Sequence, residues 1–212
     1  MQTHQTSLQK IGGLTAFANA LLGAGTLVVA IGLIGPAALA DPNKLVELAI
    51  NNPSPLIIQD LLKLASAATA IVLIVVLFNR LRGGSPITMG VASLFGLLSV
   101  LCLLANASLS LFAVSQATNF AQGRPELGAQ LNGIIGLLGM AVIVVNGLWH
   151  LLVGWTALKT ERLPRRLSYL GLVMGGLSLL PPLGVIVLLL GVGWSVWLGR
   201  LLLRNSSVSQ IA

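Results

Sequence analysis

One ionisable side chain, His150, lies deep inside an apolar segment of the sequence. It stands eight residues before Leu158, where that segment ends, which is about 12 Å along a helix axis. Asn146 lies four residues earlier on the same helical face, and Trp149 is the adjacent residue. A neutral imidazole can ligate haem iron or the magnesium of a chlorin, or it can line a small cavity. His150, Asn146 and Trp149 are therefore the candidate ligand-binding residues.

A structural role for His150 is the alternative. The imidazole would then bond to Asn146 or to a hydroxyl or carbonyl group of a neighbouring helix. Asn19 and Asn106 are the other amides in apolar segments, and such amides usually tie helices together. His4 lies in the N-terminal tail, so two histidines of one chain cannot sandwich a haem inside the membrane.

The composition defines the kind of element that carries these residues. Apolar residues make up 56 % of the 212 residues and charged residues only 8 %, and the mean hydropathy is +0.95. A soluble domain carries about 25 % charged residues. The composition thus excludes a soluble enzyme, a nucleic-acid-binding protein and a disordered tail. It predicts an all-α, polytopic membrane protein.

The apolar runs predict six membrane spans, because about 20 apolar residues cross about 30 Å of hydrocarbon. The predicted spans are 11–35, 55–78, 87–114, 131–158, 164–180 and 183–203, within a single membrane domain 1–212. Pro181 and Pro182 interrupt the final run and predict a tight hairpin there. The fifth span is short, so a re-entrant segment is the competing interpretation. The first run resembles a secretory signal, but its length favours a retained helix.

Charge placement predicts the orientation. With six spans, nine of the twelve basic residues share one side with both termini, which the positive-inside rule assigns to the cytoplasm. Three tryptophans and a tyrosine fall toward helix ends on that side and are predicted to lie at the membrane interface: Trp155, Tyr169, Trp194 and Trp197. On the opposite side of the membrane, residues 42–50 predict a short amphipathic helix capped by Asp41. Residues 115–130, on the same side, predict a polar loop. Lys63 is expected to snorkel to the headgroups, with Asp60 as its partner.

One stretch of the sequence resembles a known family. Gly147, His150, the pair Gly154-Trp155, the run Leu163-Pro164-Arg165 and Gly171 are similar to the pattern of an uncharacterised bacterial family of six-helix membrane proteins, catalogued as a domain of unknown function. Gly12-Gly13 and Arg80 also fit that pattern, whereas the double proline and the compact final hairpin depart from it. The resemblance implies six helices and no assigned activity. It also places His150 at the position of the histidine in the family's pattern.

The residues favour a non-catalytic accessory or assembly subunit of a membrane complex. The loops are small, ridges of small residues such as Ala16, Ala20 and Ala24 are plentiful, and no catalytic motif is found. The expected partners are the lipid bilayer and other membrane subunits, with no nucleic acid. The alternative is a binding protein or carrier for a lipid, quinone, carotenoid, chlorin or haem that uses His150. A membrane lipid enzyme ranks third. The predicted location is the bacterial plasma membrane, with a thylakoid membrane as the alternative.

Overall fold

The computed structural model describes the backbone of residues 2–208 and the side chains of residues 7–180 and 182–204. Met1 and residues 209–212, which complete the predicted membrane domain, lie outside the described residues. Every regular element in the described range is helical, which confirms the all-α class. The helices are α1 (Gln2–Val28, continued by a π-helical turn, Val29–Ile34), α2 (Pro36–Leu39), α3 (Pro42–Asn51), α4 (Ser54–Leu81), α5 (Pro86–Ser115), α6 (Ala117–Gly123), α7 (Pro125–Thr160), α8 (Arg165–Ser178) and α9 (Gly184–Val208).

Five of these helices are long and apolar enough to cross a membrane. They are α1 with its π-helical turn, α4, α5, α7 and α9. The first four lie at the positions of the first four predicted spans, and α9 lies at the position of the sixth. The fifth predicted span corresponds to α8, whose 14 residues reach only about 21 Å. A 3₁₀ turn, Pro181–Leu183, joins α8 to α9 where the double proline predicts a hairpin. Six helical segments are thus present, and one of them is short.

Prolines and one cap define where the helices begin. The first turns of α2, α3, α4, α5 and α7 each contain a proline, which lacks the N–H group that would be unpaired there. Asp41 caps α3, because its carboxylate accepts a hydrogen bond from the Asn43 backbone N–H at 2.9 Å. The helix α3 lies where the short amphipathic helix 42–50 is predicted.

The predicted polar loop 115–130 is largely helical. It contains α6, and α7 begins at Pro125 rather than near residue 131. Pro125 fixes a helical φ angle and Glu126 places a negative charge in the first turn, and both favour helix initiation. The ring of Phe120 meets Phe112 edge-on at 6.2 Å, which holds α6 against the end of α5.

Six helices pack in a closed ring in the order α1, α4, α5, α7, α8 and α9, and α9 contacts α1. The α1–α9 pair is antiparallel: a Cβ at Gly13 would lie 2.7 Å from Leu203 Cγ, whereas one at Gly23 would lie 3.1 Å from Val192 Cγ2. The described start of the chain therefore lies beside the described end of α9. Leu77, Met174 and Leu198 are buried in the core of the ring.

The ring places the basic residues of successive helix ends together. The end of the bundle formed by the start of α1, the α4–α5 and α7–α8 connections and the end of α9 is called the basic end below. It carries Lys10, Arg80, Arg82, Lys159, Arg162, Arg165, Arg166, Arg200 and Arg204. The positive-inside rule predicts that this end faces the cytoplasm.

Candidate functional site

His150 faces the interior of the bundle from α7 and is only 7 % exposed. Its Nδ1 lies 3.0 Å from the backbone oxygen of Asn146. A carbonyl oxygen can only accept, so Nδ1 carries the proton and Nε2 is left as an acceptor. Asn146 thus contributes its main chain to His150, and its own side chain is half-buried.

Three aromatic rings, Trp149, His150 and Trp194, form a cluster between α7 and α9, called the ring cluster below. The His150 ring meets Trp149 edge-on at 4.6 Å and Trp194 at 5.3 Å, and the two indoles lie 6.1 Å apart. Edge-to-face pairs of this kind stabilise packing beyond the area they bury. The cluster brings together two of the three predicted ligand-binding residues.

The prediction for Trp194 is wrong. The sequence places it at the membrane interface, but its side chain is 3 % exposed and packs into the ring cluster. The indole lies beside Gly171 of α8, where a Cβ would be in ordinary contact with Trp194 Nε1 at 3.5 Å. Trp155 and Tyr169 remain 60 % and 58 % exposed, as interfacial aromatic residues are.

Trp149 carries an unused polar group. Its Nε1–H is buried and has no hydrogen-bond partner among the described residues. The indole lies against α5 and α4, because a Cβ at Gly96 would be 2.9 Å from both Trp149 Cδ1 and Ile74 Cδ1. A buried donor without an acceptor is unfavourable, so a ligand oxygen at this position would satisfy the N–H.

Glycines bring α8 into backbone contact with α7 around the ring cluster. A Cβ at Gly154 would lie 2.8 Å from the Ser168 backbone oxygen, and one at Gly147 would lie 2.5 Å from Ser178 Cβ. On α8, a Cβ at Gly175 would lie 2.7 Å from the Gly147 backbone oxygen. The glycines that carry the family resemblance therefore allow the close packing of α8 on α7.

A second polar group lies between α4, α5 and α7, toward the end of the bundle opposite the basic end. Asp60 is 1 % exposed, and its Oδ1 accepts a hydrogen bond from Lys63 Nζ at 2.7 Å. The predicted pairing is therefore present. Lys63 does more than snorkel, however, because its Nζ also donates to Asn106 Oδ1 of α5 at 3.0 Å.

Asn106 extends this contact to α7. Its Nδ2 donates to the Ile135 backbone oxygen at 2.7 Å and lies beside Gly139. Asp60, Lys63 and Asn106 are called the polar clamp below. Sequence reasoning identified the Asp60–Lys63 spacing and the buried amide separately. The contact between them depends on how α4 faces α5, which the local sequence does not encode.

A third polar contact joins α1, α4 and α9. The Nδ2 of Asn19 donates to Ser195 Oγ at 3.1 Å, and its Oδ1 accepts from Thr69 Oγ1 at 3.1 Å. The expectation that Asn19 ties helices together agrees with this geometry.

At the basic end, the side chain of Arg80 in the last turn of α4 and that of Arg162 in the α7–α8 connection each bond to the other residue's backbone oxygen. Arg162 Nη1 donates to the Arg80 backbone oxygen at 2.8 Å, and Arg80 Nη2 donates to the Arg162 backbone oxygen at 3.4 Å. Glu161 ends α7 with a φ of 51° and pairs with Arg165 at 2.7 Å on the exposed surface. An exposed pair of this kind adds little stability.

The sequence profile of one protein family matches residues 11–204, and its description is "Domain of unknown function (DUF4386)". The chain belongs to this family. The match spans the whole ring of helices, from the start of the first predicted span to Arg204, and agrees with the resemblance drawn from Gly147–Gly171. No curated protein and no solved structure matches this DUF4386 chain.

The first half of α7 in the DUF4386 chain contains no buried residue from 125 to 142. In the most apolar stretch of α7 6 % of the residues are buried, against 28 % in each of the other four long helices. The half of α7 nearer the basic end packs against α8, but the first half, residues 125–142, extends past the α8–α9 turn. Gly184, at the start of α9, lies beside Ile143. The short α8 thus leaves one face of α7 uncovered.

Proposed function

We propose that this DUF4386 chain is a non-catalytic membrane subunit, and that a transmembrane helix of a partner protein packs against the uncovered half of α7. The observation that carries the proposal is the exposure of residues 125–142. The proposed location is the bacterial plasma membrane, with the basic end in the cytoplasm.

The uncovered face continues an interface that the chain already uses. Gly147 and Gly154 lie on the stripe of α7 that contacts α8. At 3.6 residues per turn, Gly133, Gly136 and Met140 extend that stripe toward the other end of the bundle. Over its last four turns α7 packs on α8 through this stripe. Its first half thus offers the same kind of small-residue surface, with no helix against it.

The exposed stripe has room for a second backbone. A Cβ at Gly133 or Gly136 would meet no atom within 4 Å, whereas Cβ atoms at Gly147 and Gly154 would collide with α8. Asn132, next to Gly133, is exposed as well and supplies an amide that can bond across a helix pair. Small residues and one amide on an open face are typical of helix association in lipid.

The test is a double substitution, Gly133→Leu with Gly136→Leu, in the chain expressed in its native membrane. The added side chains enter open space in the isolated chain, so its thermal unfolding should stay unchanged. They should block the approach of a partner backbone. We expect the wild-type chain to migrate in mild detergent as part of a larger assembly and the double variant to migrate alone.

Gly90→Leu is the matched control, because a Cβ at Gly90 also meets no atom within 4 Å but lies on α5, away from the stripe. This variant should keep the larger assembly. Migration of the wild-type chain alone, or an unchanged assembly in the double variant, would overturn the proposal.

A second candidate function is the binding of a lipophilic ligand at the ring cluster. The unpartnered Trp149 N–H and the acceptor Nε2 of His150 support it. The discriminating measurement is an absorption spectrum of gently purified protein. A stoichiometric haem, chlorin or carotenoid band that His150→Ala removes would favour this function, whereas a band that persists in His150→Ala would exclude His150 as its site.

A further inference from the structure

An open groove of about 420 Å³ runs along the outer face of α9 at the basic end. One stripe of the helix lines it: Gly193, Val196, Trp197, Arg200, Leu201 and Arg204. These residues recur every three or four positions and face away from α1, which packs on the opposite side of α9. The groove therefore opens toward the surrounding bilayer.

The two arginines supply a concentrated positive charge. Arg200 and Arg204 are one helical turn apart, so their side chains lie side by side. Among the described residues, no carboxylate lies within 4 Å of either guanidinium, and the ion pairs found there are Lys63–Asp60 and Arg165–Glu161. Guanidinium groups bind phosphate oxygens in a bidentate manner, so the headgroup end of the groove suits a phosphate.

The other end of the groove suits a hydrocarbon chain. Gly193 lies about two turns from Arg200 toward the middle of the bundle, and a Cβ there would meet no atom within 4 Å. Trp197, between them, is 38 % exposed, and tryptophan is typical of the level where headgroups meet acyl chains. The order of charge, indole and open apolar space along α9 matches the order of groups along a phospholipid.

We propose that the groove binds one anionic phospholipid of the cytoplasmic leaflet, with its phosphate on Arg200 and Arg204 and an acyl chain along Val196 and Gly193. Charge complementarity selects the anionic headgroup. The adjoining apolar stripe selects a lipid over a free anion. This site lies on α9 and is separate from the uncovered half of α7.

The experiment measures lipid binding to the full chain in detergent by native mass spectrometry. The probes are phosphatidylglycerol, phosphatidylcholine and inorganic phosphate. We expect one phosphatidylglycerol to remain bound, and Arg200→Gln with Arg204→Gln to weaken it about 30-fold, since each basic residue near a membrane surface contributes to anionic-lipid affinity. Gly193→Leu, which fills open space without a clash, should also weaken it severalfold.

Two single substitutions control for charge alone. Arg124 lies at the opposite end of the bundle, and Arg82 lies at the basic end outside the groove. The variants Arg124→Gln and Arg82→Gln should both retain the bound lipid. Equal binding of phosphatidylcholine, equal competition by inorganic phosphate, or an equal loss in Arg82→Gln would each overturn the proposal. Unchanged binding in the double arginine variant would overturn it as well.

Discussion

Lys63 Nζ lies 2.7 Å from Asp60 Oδ1, and through this pair α4 holds two further helices. Lys63 also bonds to Asn106 of α5, and Asn106 bonds to the main chain of α7. The half of α7 that lacks α8 is thus tied to α5 by a polar bond at Ile135. The polar clamp positions the uncovered face on which the proposed partner helix packs.

The substitution Lys63→Met should destabilise the chain by about 3 kcal/mol, because it leaves Asp60 as an uncompensated buried carboxylate. This loss is at the lower end of the range for breaking a buried ion pair, since the Lys63 side chain is 25 % exposed. Chemical unfolding in detergent measures the change. Lys63→Met with Asp60→Asn should recover much of the loss, and Lys44→Met on the exposed α3 should have no effect. Equal losses in the single and double variants would contradict the clamp.

Asn19→Ala should lower the free energy of unfolding by about 1 kcal/mol, because two interhelical hydrogen bonds, to Ser195 and to Thr69, are lost. Ser93→Ala is the control, since Ser93 Oγ is buried without a partner among the described residues. Thermal unfolding of both variants provides the measurement. A larger loss for Ser93→Ala than for Asn19→Ala would contradict the assignment of Asn19 as a tie between helices.

Gly154→Ala should destabilise the bundle by about 1–3 kcal/mol, because the new methyl group would lie 2.8 Å from the Ser168 backbone oxygen and push α8 away. Gly176 also lies on α8, but a Cβ there would meet no atom within 4 Å. Gly176→Ala should therefore be neutral or stabilising by up to about 1 kcal/mol. Thermal melts of the two variants in the same detergent test the difference. If both changed stability alike, the close α7–α8 packing would be wrong.

At the ring cluster, His150→Phe should keep the edge contacts with Trp149 and Trp194 and cost less than about 1.5 kcal/mol. His150→Ala removes the ring and should cost about 2–4 kcal/mol. Unfolding measurements combined with absorption spectra separate packing from ligand binding. A stable His150→Phe variant that has lost a bound chromophore would identify a ligand role for the imidazole.

Reporter fusions test the topology that the basic end implies. Fusions within residues 82–84 and after Arg204 should both report cytoplasm, and fusions after Asn52 and after Gly123 should report the opposite side. If the reporter after Arg204 changed sides, α8 and α9 would cross the membrane only once in total.

The sequence predicts the long helices well because lipid requires long apolar runs, and Pro181 marks the turn before the last of them. It misses the start of α7 at Pro125, which the polar composition of residues 115–130 assigns to a loop. It predicts less well what the side chains contact. The sequence position of Trp194 is that of an interfacial residue, yet its side chain is buried beside His150, against Gly171 of another helix. Asn106 and Lys63 are 43 residues apart, and only the packing of α4 on α5 reveals that they meet. The family match supports the helical domain but adds no activity.

The closure of the ring by α1 and α9 has a consequence for biogenesis. These two helices are antiparallel partners, yet α9 leaves the ribosome long after α1. Until then, α1 has only α4 as a ring neighbour, and Asn19 lacks its bond to Ser195. The newly inserted α1 must therefore wait in the bilayer, or beside an insertion factor, until synthesis of the last helix completes the bundle.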